Sequence, residues 1–385
     1  GYAAAIAGGN ENTVTGGMTS IGGGWQNVGS SDFAVVAGGM ANEAKGVYAA
    51  VGGGWLNTAD QNSCVGGGVK NTASGFFATV AGGASNVASG DGSTIAGGAQ
   101  NFVSTSSFVG GGEMNTVTST AAAIVGGTGN VITGNGCIIG GGVQHLAAGT
   151  YASVLGGFEH RVSNFASSVG GGWRNTATAD YGVVAGGRVN TVSDLASVVG
   201  GGWGNTVHSQ YATIAGGQNN IGVGDFAGIL GGTGNLAEGY GSVIGGGKDN
   251  YITGKYALIA GGRGNSASAY AAAVGGGKSN NGEGMYAVVG GGLENMGTGY
   301  YAVVAGGYQN TAAGYGAFIG AGKLNVANAK YGIVTGGRAN QASSYGASVG
   351  GGVYNSASGM NSVIGGGNHN DASGYISSVV GGTRN

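Results

Sequence analysis

The sequence repeats itself every 15 residues from one end to the other, in about 26 copies, and this period limits the possible folds more than any single residue does. With the Asn after each glycine pair as anchor, the column runs through Asn12, Asn27, Asn42, Asn57, Asn71, Asn86, Asn101, Asn115 and Asn130. It resumes at Asn175 and continues through Asn190 and Asn310 to Asn385. His145 and His160 interrupt the column, and the two steps ending at Asn71 and Asn115 are 14 residues long. A unit this short cannot bury an apolar face alone, but stacked copies can bury one together. The sequence therefore predicts one continuous array over residues 1–385, without separate domains, in place of the two or three globular domains that such a length usually carries.

The offsets within a copy identify the element. Six residues before the anchor stands a Val or Ile, as at Ile6, Ile21, Val36, Val51, Val304 and Ile319. Eight before it the residue is small (Ala34, Ser63, Cys137, Ala257), and two after it comes Ala, Val, Ile or Gly (Ala73, Val117, Ile132, Ala312). These positions differ by two, the side-chain period of a strand and not of a helix. The fold class is thus all-β, a β-solenoid of the parallel β-roll or β-helix kind. A glycine pair such as Gly38–Gly39, broken only by Ala321, lies just before each anchor and predicts a tight turn. The anchor Asn is expected to close that turn, as a residue that tolerates a left-handed backbone and can bond to nearby backbone groups, and its stacked copies can form a ladder. Proline is absent, as expected if each strand residue donates its N–H to a neighbouring coil. A copy then reads as strand, glycine turn, short strand and looser bend, and the two 14-residue steps place their deletion in the bend.

A weaker alternation overlays the main period. The residue before the glycine pair switches between Ala and Gly, as at Ala185, Gly200 and Ala215. An aromatic stands nine residues before the anchor in some copies (Phe33, Tyr181, Tyr211, Tyr256) and ten before it in others (Phe165, Tyr240, Tyr270, Tyr315, Tyr345). This pattern leaves open whether one coil holds one repeat or two.

Composition excludes several functions. Charged residues make up 7% of the chain and nearly cancel, 13 Lys and Arg against 15 Asp and Glu, so no basic footprint for nucleic acid is present. There is no apolar run long enough to span a membrane, and no signal peptide is recognisable in a chain that starts within a repeat. Cys64 and Cys137 lack metal or disulfide spacing and are expected to be small core residues. Asp32, Asp91, Asp180 and Asp225 share one register but never occupy adjacent copies, so paired-carboxylate chemistry is not expected. No catalytic residue, cofactor or metal is expected, and the chain is not read as an enzyme. His145 and His160, neighbours in the Asn column, read as substitutions at a turn, with a stacked metal-binding pair as the alternative.

The candidate binding residues are aromatic. Trp25, Trp55, Trp173 and Trp203 all follow the glycine turn directly, and Phe158 and Tyr308 take the same place. Exposed aromatic rows can dock sugars or proteins; the alternative is packing against a sister chain or shielding glycine backbone. Arg188, Lys248, Arg263, Lys278, Lys323 and Arg338 share this register and read as a solubilising edge.

The motif Tyr301-Ala302-Val303-Val304-Ala305-Gly306-Gly307-Tyr308-Gln309-Asn310-Thr311-Ala312 resembles the head repeats of YadA-like trimeric autotransporter adhesins and, more closely in wording, the glycine-rich repeats of phage and other viral tail fibres. The 15-residue spacing and the Gly-Gly-x-x-Asn turn depart from the adhesin pattern. The resemblance implies a left-handed parallel β-roll, homotrimers, and a place on a cell or virion surface. The expected function is a structural and adhesive extracellular fibre, with a tail-fibre shaft or a self-stacking filament subunit as alternatives and an ice-binding solenoid as a minor one. Expected partners are further copies of the chain, as trimer or end-to-end filament, and host surface glycans or proteins. Because the array carries no polar caps, its ends are expected to be adhesive or continued by flanking segments.

Overall fold

Residues 2–385 are described by a computed structural model, in which they form two compact units divided between residues 189 and 190. Each unit is a parallel β-solenoid. In the first, Ala5–Ile6 pairs with Ser20–Ile21, and Val35–Val36 with Ala50–Val51. In the second, Val303–Val304 pairs with Phe318–Ile319, and Thr311–Ala312 with Val326–Ala327. Partners lie one repeat apart, so a coil holds one 15-residue repeat, not two, and the weaker alternation has another cause.

Three parallel ladders run through each unit. Two are built from two-residue strands, such as Val303–Val304 and Thr311–Ala312. The third joins single residues just after the glycine pair, as in Leu293 to Tyr308 to Lys323. Strand residues donate to the following coil: Val303 N–H to Ala317 O at 2.8 Å and Thr311 N–H to Asn325 O at 2.9 Å. Two corner residues have positive φ, Tyr301 at 56° and Gln309 at 54°. There the peptide is turned over, and their N–H groups donate to the preceding coil, to Met285 O at 3.0 Å and Leu293 O at 2.9 Å. Each coil is thereby tied to both neighbours, and these bonds offset the cost of about 1 kcal/mol or more for a left-handed non-glycine residue.

The interior of a coil is narrow, which explains its small side chains. Ala302, Val304, Asn310 and Ala312 all have zero exposure. Ile21, Val36, Val51 and Ile319 occupy the same inward column and are buried, whereas Ile6, in the first coil with only one neighbour, is 46% exposed. Both 14-residue steps shorten the bend: Thr58–Ala59 leads to Cys64–Val65 and Phe102–Val103 to Phe108–Val109, with the flanking pairings kept. Cys137 lies in the core as expected, but Cys64 is exposed. It is the outward member of its two-residue strand, and Ser63 fills the inward position instead.

Candidate interaction surface

The anchor Asn side chains form a buried polar column. Asn235 Nδ2 donates to Gly231 O at 3.0 Å in its own coil and to Gly247 O at 3.1 Å in the next, while its Oδ1 accepts the Asn250 N–H at 3.0 Å. The same arrangement recurs at Asn27, Asn42, Asn57 and Asn310. Asn12 and Asn175 donate to the equivalent glycine carbonyls, and Asn190 to Gly202 O. The anchors do not use the left-handed backbone that Asn tolerates, because the corner belongs to the residue before (Gln26, Ala41, Leu56, Gln309). The anchor N–H instead points inward, where a side-chain acceptor must meet it.

His145 and His160 continue this column. Their rings stack at 4.9 Å with an interplanar angle of 4°, and both are 1% exposed. His160 N–H donates to His145 Nδ1 at 3.1 Å and Asn175 N–H to His160 Nδ1 at 3.0 Å, so Nδ1 replaces the Asn Oδ1 as acceptor. In the neutral ring the proton then sits on Nε2. The Gly141 and Gly157 carbonyls lie close enough to His145 to favour its charged form, yet neither Nε2 completes a hydrogen bond of good geometry. Burial, reinforced by the neighbouring His160, holds His145 down at about 4, and burial lowers His160 as well. The pair acts as two neutral stand-ins for Asn. Among the described residues no group of three or more His, Cys, Asp or Glu side chains is placed to hold a metal ion.

Within each unit the aromatic residues after the glycine turn lie on one edge, but they do not form a continuous platform. Trp25 is 44% exposed and Trp55 41%, with Met40 between them in the ladder. Trp25 Nε1 donates to Glu11 Oε2 at 3.2 Å, and Lys70 Nζ lies 5.4 Å from the Trp55 ring. Trp173 is half-buried: Phe158 stacks on it at 6.4 Å, and the Arg174 and Arg188 guanidinium groups lie 4.6 and 4.1 Å from its ring. Arg174 is also paired with Glu159. In the second unit Trp203 is 48% exposed, while Tyr308 is half-buried with Lys323 Nζ 5.0 Å from its ring. The basic residues of this register therefore do more than solubilise: Arg188 and Lys323 cover aromatic faces.

A longer aromatic feature lies at the looser bend of the second unit. It begins with Tyr211 and Phe226, ring centroids 5.0 Å apart, and passes to Tyr240 at 5.3 Å and Tyr256 at 5.4 Å. Tyr270 and Tyr286 follow at 5.5 Å each, then the Tyr300–Tyr301 pair, Tyr315, Tyr331 and Tyr345. Every ring in this ridge is between 38% and 52% exposed. The shift of aromatics between two positions, visible in the sequence, is what builds it. At Tyr240 and Tyr315, where the ring has moved back one residue, the corner is Gly241 or Gly316, and a Cβ there would lie 3.0 Å from the Tyr256 or Tyr331 ring of the next coil. Alternation therefore packs neighbouring rings edge to face. No protein-family model matches the chain, and no curated protein is similar to it in sequence.

Proposed function

We propose that the chain is a structural and adhesive fibre protein of a cell or virion surface, a non-enzymatic scaffold that displays outward side chains at fixed intervals. The observation supporting this reading is the division of labour within a coil. Ala, Val, Ile and the Asn column fill the interior, while aromatic and charged residues vary freely on the outer edges. Resemblance to YadA-like adhesin heads and tail-fibre repeats supports a surface location, and a tail-fibre shaft is the virion form of the same role. Host glycans or proteins are the targets such edges would meet, with Trp25, Trp55 and Trp203 the most exposed aromatic side chains of that register.

The test has two readouts on the full chain. Small-angle scattering with limited proteolysis should give an elongated, protease-resistant particle, and a compact globule that is readily cleaved would refute the scaffold. Labelled chain should also bind a panel of surface glycans or intact cells, with binding reduced several-fold by joint Trp25→Ser, Trp55→Ser and Trp203→Ser substitution. Binding that ignores these substitutions would remove the tryptophan edge from the adhesive reading.

A further inference from the structure

We propose that the aromatic ridge from Tyr211 to Tyr345 is the contact surface for a second copy of this chain, paired antiparallel about a two-fold axis. The proposal goes beyond the adhesive reading and does not depend on it, since a chain could pair along this ridge whether or not it binds a target.

Area is the first argument. At about 200 Å² per aromatic side chain, rings exposed by 38–52% offer roughly 900 Å² in one strip. A stable complex buries about 800 Å² per partner. The strip is also ordered beforehand, because each ring leans on those of the coils before and after it, so little side-chain freedom is lost on docking.

Periodicity selects the partner. The rings advance by one coil, roughly 4.8 Å, at every step. A globular surface matches such a comb at one or two teeth, whereas another copy carries the same comb and can interdigitate along its full length.

Charge selects the direction. Asp225 and Lys330 both stand ten residues before their anchors, Asn235 and Asn340, at the ridge itself. Asp225 accepts the Gln210 N–H at 3.2 Å, and Lys330 Nζ lies 5.2 and 5.3 Å from the Tyr315 and Tyr331 rings. Asp225 belongs to the second coil of the ridge, and Lys330 to the last but one. An antiparallel pair with full overlap therefore sets Asp225 of each copy against Lys330 of the other, twice. A parallel pair would set Asp225 against Asp225 and Lys330 against Lys330, which is repulsive. A two-fold axis makes the antiparallel contact closed and self-complementary.

The experiment is sedimentation equilibrium of the full chain, with far-ultraviolet circular dichroism to confirm that each variant keeps its fold. The wild-type chain should be a dimer at tens of micromolar. Joint Tyr270→Ser, Tyr300→Ser, Tyr315→Ser and Tyr345→Ser substitution should make it monomeric, while Lys248→Ser with Arg263→Ser on another edge should not. Asp225→Lys or Lys330→Asp alone should weaken dimerisation at least tenfold, and the two together should restore it. In a Cys64→Ser background, Asp225→Cys with Lys330→Cys should form an interchain disulfide on mild oxidation, and neither single cysteine should. A monomeric wild type, or a dimer indifferent to the four tyrosine changes, overturns the proposal. Crosslinking by either single cysteine variant overturns the antiparallel arrangement.

Discussion

At the scale of single residues, the Asn column is the least replaceable part of the interior. In Asn235→Ala the Gly231 carbonyl and the Asn250 N–H lose the partners that Asn235 supplies them, whereas Gly247 O keeps its bond from Thr233 N–H. Leaving two buried groups unpaired costs about 2–5 kcal/mol. The loss should appear locally, as faster hydrogen exchange at Asn250 and its neighbouring coils. Asn235→Asp should be worse, because it sets a second acceptor against two carbonyl oxygens. Asn235→His should be milder, since His145 and His160 already fill equivalent places. Exchange rates ordered otherwise would mean that side-chain volume, not hydrogen bonding, governs the column.

The histidines make the first unit sensitive to acid in a calculable direction. His145 sits at about 4 when folded against about 6.5 when unfolded, so between these values the unfolded chain binds more protons. Stability from this residue is therefore complete above about pH 6.5, falls as the pH drops, and is lost by about pH 4, a change of about 3 kcal/mol. His160 is shifted in the same direction by burial and adds to the loss. Hydrogen-exchange protection around Asn130–Asn175, taken relative to the intrinsic exchange rate at each pH, should fall over that window, and His145→Asn with His160→Asn should abolish the fall. A pH response unchanged in the double variant would assign it to other groups.

At the scale of the coil, the two glycines of one turn have different tasks. A Cβ on Gly261 meets nothing within 4 Å, whereas on Gly262, at φ 88°, it would lie 2.2 Å from Gly277 O. Gly261→Ala should be nearly neutral, as the natural Ala321 at the equivalent place suggests, while Gly262→Ala should destabilise its coil by more than about 2 kcal/mol. Matching melting behaviour for the two variants would refute this distinction. The sequence made the strand offsets, the glycine turn and the shortened bends legible, because each depends on a residue type with few substitutes. The corner just before the anchor was not legible. Gln26, Leu56 and Lys70 hold positive φ there without any glycine signal, since bonding to the preceding coil compensates the strain. The aromatic ridge was visible only as a shifting position, and it suggested a double coil until coil register showed that the shift packs neighbouring rings. Cys64 was misplaced by residue type, when its offset from Asn71, one less than that of Ser63, already put it on the outer face.

At the scale of a whole unit, each coil touches only its neighbours, so stability should accumulate coil by coil and depend on register more than on length. Deleting residues 281–295 joins Asn280 to Met296 and brings Val303–Val304 onto Ala273–Val274, replacing the Val288–Val289 pairing that is lost. Inward faces then still meet inward faces, and the Asn column closes from Asn280 to Asn310. Deleting only residues 281–288 instead places Val303 one repeat after Asn280, which either breaks the column or forces a loop out of the stack. The 15-residue deletion should therefore leave thermal stability and protease resistance close to those of the intact chain. The half-repeat deletion should create a cleavage site near its junction, detectable by limited proteolysis and mass spectrometry. If both deletions were equally damaging, cooperativity would have to extend well beyond adjacent coils, and the nearest-neighbour account of this solenoid would fail.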